Sequence, residues 1–129
     1  MPEVPCIDLE AMAKTRRREL ERELGRIISR CLDLGYRKAI LFGSLARGDV
    51  GPWSDIDLIL VKETEKRFLD RLDEFYGKVL PDVPVDVLVY TPEEFARLSR
   101  ERAFVRRALK EGRVLYDQEG QVGGGAEMV

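Results

Sequence analysis

Along the first third of the chain the apolar residues recur at helical spacing. Leu20, Leu24, Ile27, Ile28, Cys31 and Leu32 make one stripe, which predicts a helix buried on one side. Asp8 stands where a cap would open this helix and Gly35 where it would close, so the predicted span runs from about residue 8 to 34. Met1–Ile7 carries two prolines and predicts a loosely held start. The period then shortens. Arg37–Phe42 reads as a buried strand, Ser44–Gly48 as a short helical turn and Ile56–Lys62 as a second strand. Thr64 is placed to cap a helix from Glu65 to about Val79, with Phe68, Leu69, Leu72, Phe75, Tyr76 and Val79 as its buried stripe. Pro81 and Pro84 interrupt the chain ahead of a third strand, Val85–Tyr90. Thr91-Pro92-Glu93-Glu94 joins a capping threonine, a proline at the first helical position and a glutamate at the third. The helix it opens is predicted to run, with a break near Ser99, to Gly112. Val114–Tyr116 reads as a short edge strand. Gln118–Val129, with Gly120, Gly123, Gly124 and Gly125, predicts a disordered tail, which leaves residues 1–117 as one domain.

Two carboxylates break the pattern of the second strand. Residues two apart on a strand face the same way, so Asp55 and Asp57 are expected side by side while Ile56, Leu58 and Leu60 face the other way. Like charges that close push one pKa up unless a cation is present. The third strand holds a single carboxylate, Asp86, in an otherwise apolar run, and an unpaired buried carboxylate is costly. A helix joins the second and third strands, which favours parallel neighbours and would bring Asp86 beside Asp57. Three carboxylates at one point describe a site for a hard divalent metal, with oxygen ligands suited to Mg²⁺ or Mn²⁺.

Composition narrows the chemistry further. The 129 residues suffice for one domain, and they include no histidine. Serine–histidine and cysteine–histidine catalysis are thereby excluded, and any general base must be a carboxylate, lysine, tyrosine or cysteine. Cys6 and Cys31 fit neither a disulfide framework nor a zinc site and read as reduced thiols of a cytoplasmic protein. No stretch matches a membrane span or a signal peptide. The net charge of −2 leaves no global footprint for nucleic acid, which is not required as a partner. Residues 97–113 are locally basic, with an excess of five positive charges, and read either as a solvated face or as a surface for an acidic partner or RNA. The run Lys14, Arg16, Arg17, Arg18 reads as a solvated helix face, and Trp53 as a packed or exposed loop residue rather than a base-stacking one.

Each motif alone has an ordinary explanation: Gly43-Ser44 as a strand-to-helix turn, Asp55 as a cap, Asp86 as an ion-paired strand end, Ser54 as a turn residue. Their combination is specific. Phe42-Gly43-Ser44, ten residues, Asp55-Ile56-Asp57, then Asp86 on an apolar strand, with Ala46, Arg47, Gly48 and Ser54 between, resembles a minimal nucleotidyltransferase of the DNA polymerase β superfamily. The resemblance covers the chain from the first strand through the third. It implies an α+β fold, alternating αβαβαβα, with a small mixed sheet. It also implies transfer of a nucleoside monophosphate, most simply AMP from ATP, to a hydroxyl with release of pyrophosphate. In that reading Asp55, Asp57 and Asp86 are the catalytic and metal-binding residues. Gly43, Ser44, Arg47 and Ser54 are the nucleotide-binding ones. Asp55 and Asp57 would ligate both metals; Asp86 would ligate the metal nearer the acceptor and take the acceptor's proton.

Larger members of the superfamily attach further domains that hold the second substrate. Little of this chain remains to build an acceptor site, so the acceptor is expected on another molecule, in a homo- or hetero-oligomer. Small members of this type resemble antitoxins paired with HEPN-domain ribonucleases, which implies a toxin tyrosine as the acceptor. Two rivals stand beside that reading: a non-catalytic module that neutralises a HEPN partner by covering it, and a small-molecule transferase completed by a partner subunit.

Overall fold

The computed structural model describes residues 7–118. In chain order the elements are α1 (Leu9–Asp33), β1 (Lys38–Phe42), α2 (Gly43–Arg47), β2 (Ile56–Val61), α3 (Phe68–Val79), β3 (Val85–Tyr90), α4 (Pro92–Glu101), α5 (Ala103–Glu111) and β4 (Arg113–Asp117). The four strands form one mixed sheet in the order β3-β2-β1-β4. β1 is antiparallel to β2 and β4, and β2 is parallel to β3. The α+β architecture with a small mixed sheet is the one the sequence predicts.

Helices cover both faces. Leu20, Leu24, Ile27 and Cys31 of α1 and Phe75 and Val79 of α3 pack on Leu41, Ile56, Leu58 and Leu60. On the other face Ile40 and Ile59 pack with Ala108 and Leu109 of α5, Phe95 of α4, and Phe42, Leu88 and Tyr90. Alternation along β2 therefore sends Leu58 and Leu60 to one layer and Ile59 to the other. The helix ends follow local chemistry. Asp8 Oδ1 accepts the Ala11 amide at 3.0 Å, Gly35 turns the chain out of α1 at φ +88°, and Thr91 and Glu94 close a capping box. Cys31 is a buried free thiol, and burial raises its pKa to about 12.

Several expectations are corrected. α3 starts at Phe68, not Glu65, because the Thr64 hydroxyl accepts the Lys66 amide at 3.1 Å and closes a local turn instead of capping the helix. The predicted stripe of α3 is also displaced: Leu69 is 70% exposed, while Arg71 is buried. Arg71 tolerates burial because its guanidinium donates to the carbonyls of Lys66 and Val89 and to the Glu94 carboxylate. Apolar periodicity has no means of registering those acceptors. The break between α4 and α5 falls at Arg102, three residues beyond Ser99, and β4 extends one residue further at each end than predicted. Gln118, the first residue of the predicted tail, donates its amide to the Arg37 carbonyl beside the sheet. The rest of that tail, and residues 1–6 of the predicted loose start, lie outside the described residues.

Candidate active site

The site forms where β1, β2 and β3 meet the turn into α2. Phe42 ends β1 opposite Asp57 in the antiparallel register. Gly43 then turns into α2 at φ +78°, backbone that side chains disfavour. A Cβ built on Gly43 would lie 2.1 Å from Asp57 Oδ2, so glycine is what lets the backbone pass this close to the carboxylate. Across the parallel pair, Asp57 stands in register with Asp86. The two carboxyls are near enough for Asp86 to act on the charge of Asp57. Burial, the neighbouring Asp86 and, more weakly, Asp55 raise the Asp57 pKa to about 6, and the Arg47 charge partly opposes them. Asp86 itself is exposed rather than buried, because it stands near the open start of β3.

The expected convergence of all three carboxylates is incomplete. Asp55 Oδ1 lies 3.5 Å from Arg16 Nη2, and Arg16 Nε donates to the Ser54 carbonyl at 2.8 Å. No group of three acidic or thiol side chains placed to hold a metal ion occurs among the described residues. The physical reason is the cation: Asp55 is drawn to Arg16 on α1, while Asp57 and Asp86 face each other. Ser54 Oγ accepts the Gly51 amide at 2.8 Å, which closes the loop before β2. Ser44 is half-buried in the first turn of α2, and its carbonyl accepts the amides of Gly48 and Asp49. Arg47 pairs with Asp49 at 3.2 Å.

Two cavities share Asp57. One, of about 240 Å³, is lined by Gly43, Arg47, Phe104, Arg107 and Glu111 among others. The other, of about 390 Å³, holds Asp57 and Asp86 with apolar walls that include Leu72, Tyr76, Leu88 and Phe104. Phe104 stands edge-on to Phe42, ring centroids 5.6 Å apart, and borders both cavities. Sequence reasoning did not single out Phe104 or Leu72 for the site. It assigned Arg16 to a solvated face, although that side chain is only 19% exposed. The local excess of positive charge at 97–113 was the one signal near Arg107; nothing in the sequence linked Arg16 to a residue 39 positions away. Trp53 is 75% exposed.

Residues 24–116 match the nucleotidyltransferase domain family. The chain belongs to that family. A Methanocaldococcus jannaschii protein named "putative protein adenylyltransferase" is 37% identical over 81 residues, which span 62% of this chain and 78% of the relative. A solved structure of a "putative nucleotidyltransferase" from Sulfolobus solfataricus superposes with a TM-score of 0.60 at 20% identity, covering 84% of this chain and 89% of that one, and agrees in fold. This nucleotidyltransferase is thus an enzyme whose donor substrate is a nucleotide. Among its described residues no helix is long and apolar enough to cross a membrane.

The raised Asp57 pKa gives a signed expectation for the metal-free nucleotidyltransferase. The folded state keeps this proton up to about pH 6, whereas the unfolded chain releases it near 4. Between those values the folded state binds more protons, so this group lowers stability as pH rises, and its full cost is present above pH 6. Asp57→Asn removes that contribution. With a chelator present, its melting temperature minus that of wild type is expected to grow from pH 4.5 to pH 7. The difference is the proper readout, because Glu23 and Glu94, held low by Arg26 and Arg71, drive stability the other way in both proteins. A constant difference would show that Asp57 carries no such strain.

Proposed function

We propose that this nucleotidyltransferase moves AMP from ATP to a hydroxyl on a partner protein, a tyrosine of a HEPN-domain toxin, and so acts as its antitoxin. The observation that carries the reading is the facing pair Asp57–Asp86 beside a glycine turn whose backbone approaches the same carboxylate. The name of the M. jannaschii relative supports AMP as the transferred group. The backbone amides at the start of α2 and the Ser44 hydroxyl are donors for the β- and γ-phosphates, and Gly43 leaves room for that approach. Arg47 and Asp49 offset each other's charge, so Arg47 serves the phosphates by leaving Asp49. Ser54 Oγ accepts the Gly51 amide, which fixes the loop and leaves the hydroxyl proton free to donate to the nucleotide.

The donor set suits a hard divalent ion. It consists of oxygens only, and two carboxyls sit close enough to hold one of them partly protonated. Asp57 and Asp86, joined by Asp55 once it leaves Arg16, would hold Mg²⁺ or Mn²⁺. When bound, the ion lowers the pKa of the acceptor hydroxyl and offsets charge on the departing pyrophosphate. The chain's own part is positional and acid–base. Asp86, exposed at the edge of the larger cavity, takes the proton of the acceptor hydroxyl as its oxygen bonds to the α-phosphorus. The bond from that phosphorus to the pyrophosphate oxygen breaks.

The test is a transfer assay. Wild-type protein, ATP and Mg²⁺ are incubated with a HEPN-domain protein, and both chains are weighed by mass spectrometry. The partner is expected to gain the mass of AMP on a tyrosine. If the partner is silenced with no added mass, and equally by Asp86→Asn, the protein is a binding module and the catalytic reading fails.

A further inference from the structure

One face of α3 is apolar and uncovered. Leu69, Leu72 and Tyr76 follow one another at intervals of three or four residues on one side of the helix, and Leu80 caps its C-terminal end. Leu69 is 70% exposed, Tyr76 39% and Leu80 67%. Surface helices of folded domains normally place charge here, so an apolar ridge this long marks a contact site.

We propose that this ridge is the docking surface for the acceptor-bearing protein. Its occupant is an amphipathic helix whose apolar face is flanked by a basic residue. The inference rests on the transfer reading above and adds where and how the partner sits. Three observations carry it. First, the middle of the ridge is also the wall of the site: Leu72 and Tyr76 line the cavity that holds Asp57 and Asp86. The Tyr76 hydroxyl is tied back to the Val85 carbonyl, next to Asp86. A chain laid along the ridge therefore passes the mouth of the cavity and can place a hydroxyl in it. Second, Leu80 is the one non-glycine residue with positive φ among the described residues, at +50°. That backbone disfavours any residue with a Cβ, yet a large apolar side chain stands there in solvent. It does nothing for the fold that glycine would not do better. Third, the solvent side of the ridge is acidic. Asp73, one turn from both Leu69 and Tyr76, is exposed and has no ion pair among the described residues, and Asp70 lies beside it, paired loosely with Arg67 at 3.6 Å. A basic residue on the incoming helix meets that charge, which sets the direction of docking.

Two substitutions outside the cavity test this. Leu80→Gly removes the apolar end of the ridge and relaxes the backbone, so the melting temperature should hold or rise. Leu69→Glu changes an exposed position at the other end. With the HEPN-domain protein as acceptor, the double variant is expected to bind ATP and Mg²⁺ like wild type. It should need at least about tenfold more partner for half-maximal transfer, as loss of the two exposed leucine contacts requires. Asp73→Lys should weaken docking in the same assay and steepen no other readout. Unchanged partner dependence in the double variant, with wild-type transfer intact, overturns the docking surface and leaves the transfer reading standing. Absence of transfer by wild type overturns both. Sedimentation of the protein alone covers the remaining occupant: a wild-type dimer that Leu80→Gly dissociates would assign the ridge to a second copy and end the proposal.

Discussion

Asp86→Asn is expected to bind ATP and divalent metal measurably and to transfer essentially no nucleotide to its partner. Two losses combine in one atom pair. A tyrosine hydroxyl has a pKa near 10, so at neutral pH its proton must leave as the new phosphorus–oxygen bond forms. General-base assistance of this kind is worth ~10²–10⁴-fold, and an amide cannot accept the proton. The same change removes one carboxylate oxygen from the proposed ligand pair, which adds to the loss. Binding survives because the phosphate contacts proposed for Gly43, Ser44 and the start of α2 do not involve β3. The variant has an independent signature as well. Asp86 is among the causes that raise Asp57, second only to burial. In Asp86→Asn the Asp57 pKa therefore falls, and the pH-dependent difference in metal-free stability shrinks. Transfer within a few fold of wild type would remove Asp86 from the chemistry.

Gly43→Ala is expected to abolish transfer while the protein remains folded. The new Cβ would meet Asp57 Oδ2 at 2.1 Å and Cγ at 2.9 Å, so the carboxylate must move out of its place opposite Asp86. Positive φ adds a backbone cost of roughly 1–2 kcal/mol for an L-residue. The two effects separate by comparison with Gly35→Ala. Gly35 has an equally left-handed backbone, φ +88°, and nothing within 4 Å of a built Cβ. Both variants should lose similar stability from backbone strain, and only Gly43→Ala should lose activity by more than ~10²-fold, as expected when reacting groups are displaced by about an ångström. Equal activity in the two variants would mean that the close approach to Asp57 has no catalytic consequence.

Arg16 ties these expectations to the state of the site. Its guanidinium holds the Ser54 carbonyl and faces Asp55, so the loop before β2 is fixed from α1 while one carboxylate is kept away from the other two. In the proposed mechanism, the energy of binding a divalent ion must exceed that of an ion pair at 3.5 Å with both partners partly exposed, which is a weak contact.

Much of this was legible along the chain because it is encoded locally. Period decides helix or strand, and Asp8, Gly35 and the Thr91–Glu94 box fix helix ends within a few residues of themselves. The parallel β2–β3 pairing follows from a connecting helix, and with it the meeting of Asp57 and Asp86. The spacing from Gly43-Ser44 to Asp55-Ile56-Asp57, with Asp86 on a later strand, carries the family's signature along the chain itself. What tertiary structure alone decided depends on partners distant in sequence. Arg71 is buried because Val89 and Glu94 arrive to accept its hydrogen bonds, and Leu69 is exposed because the helix packs on its Arg71, Phe75 and Val79 face, which turns Leu69 away from the sheet. Asp55 turns from the other carboxylates because α1 brings Arg16 against the loop. Phe104 and Arg107 reach the site only because α5 packs across β1 and α2. Hydrophobic pattern records whether a position faces inward; it carries no record of which charge or carbonyl will be waiting there, since that is fixed by packing between elements tens of residues apart.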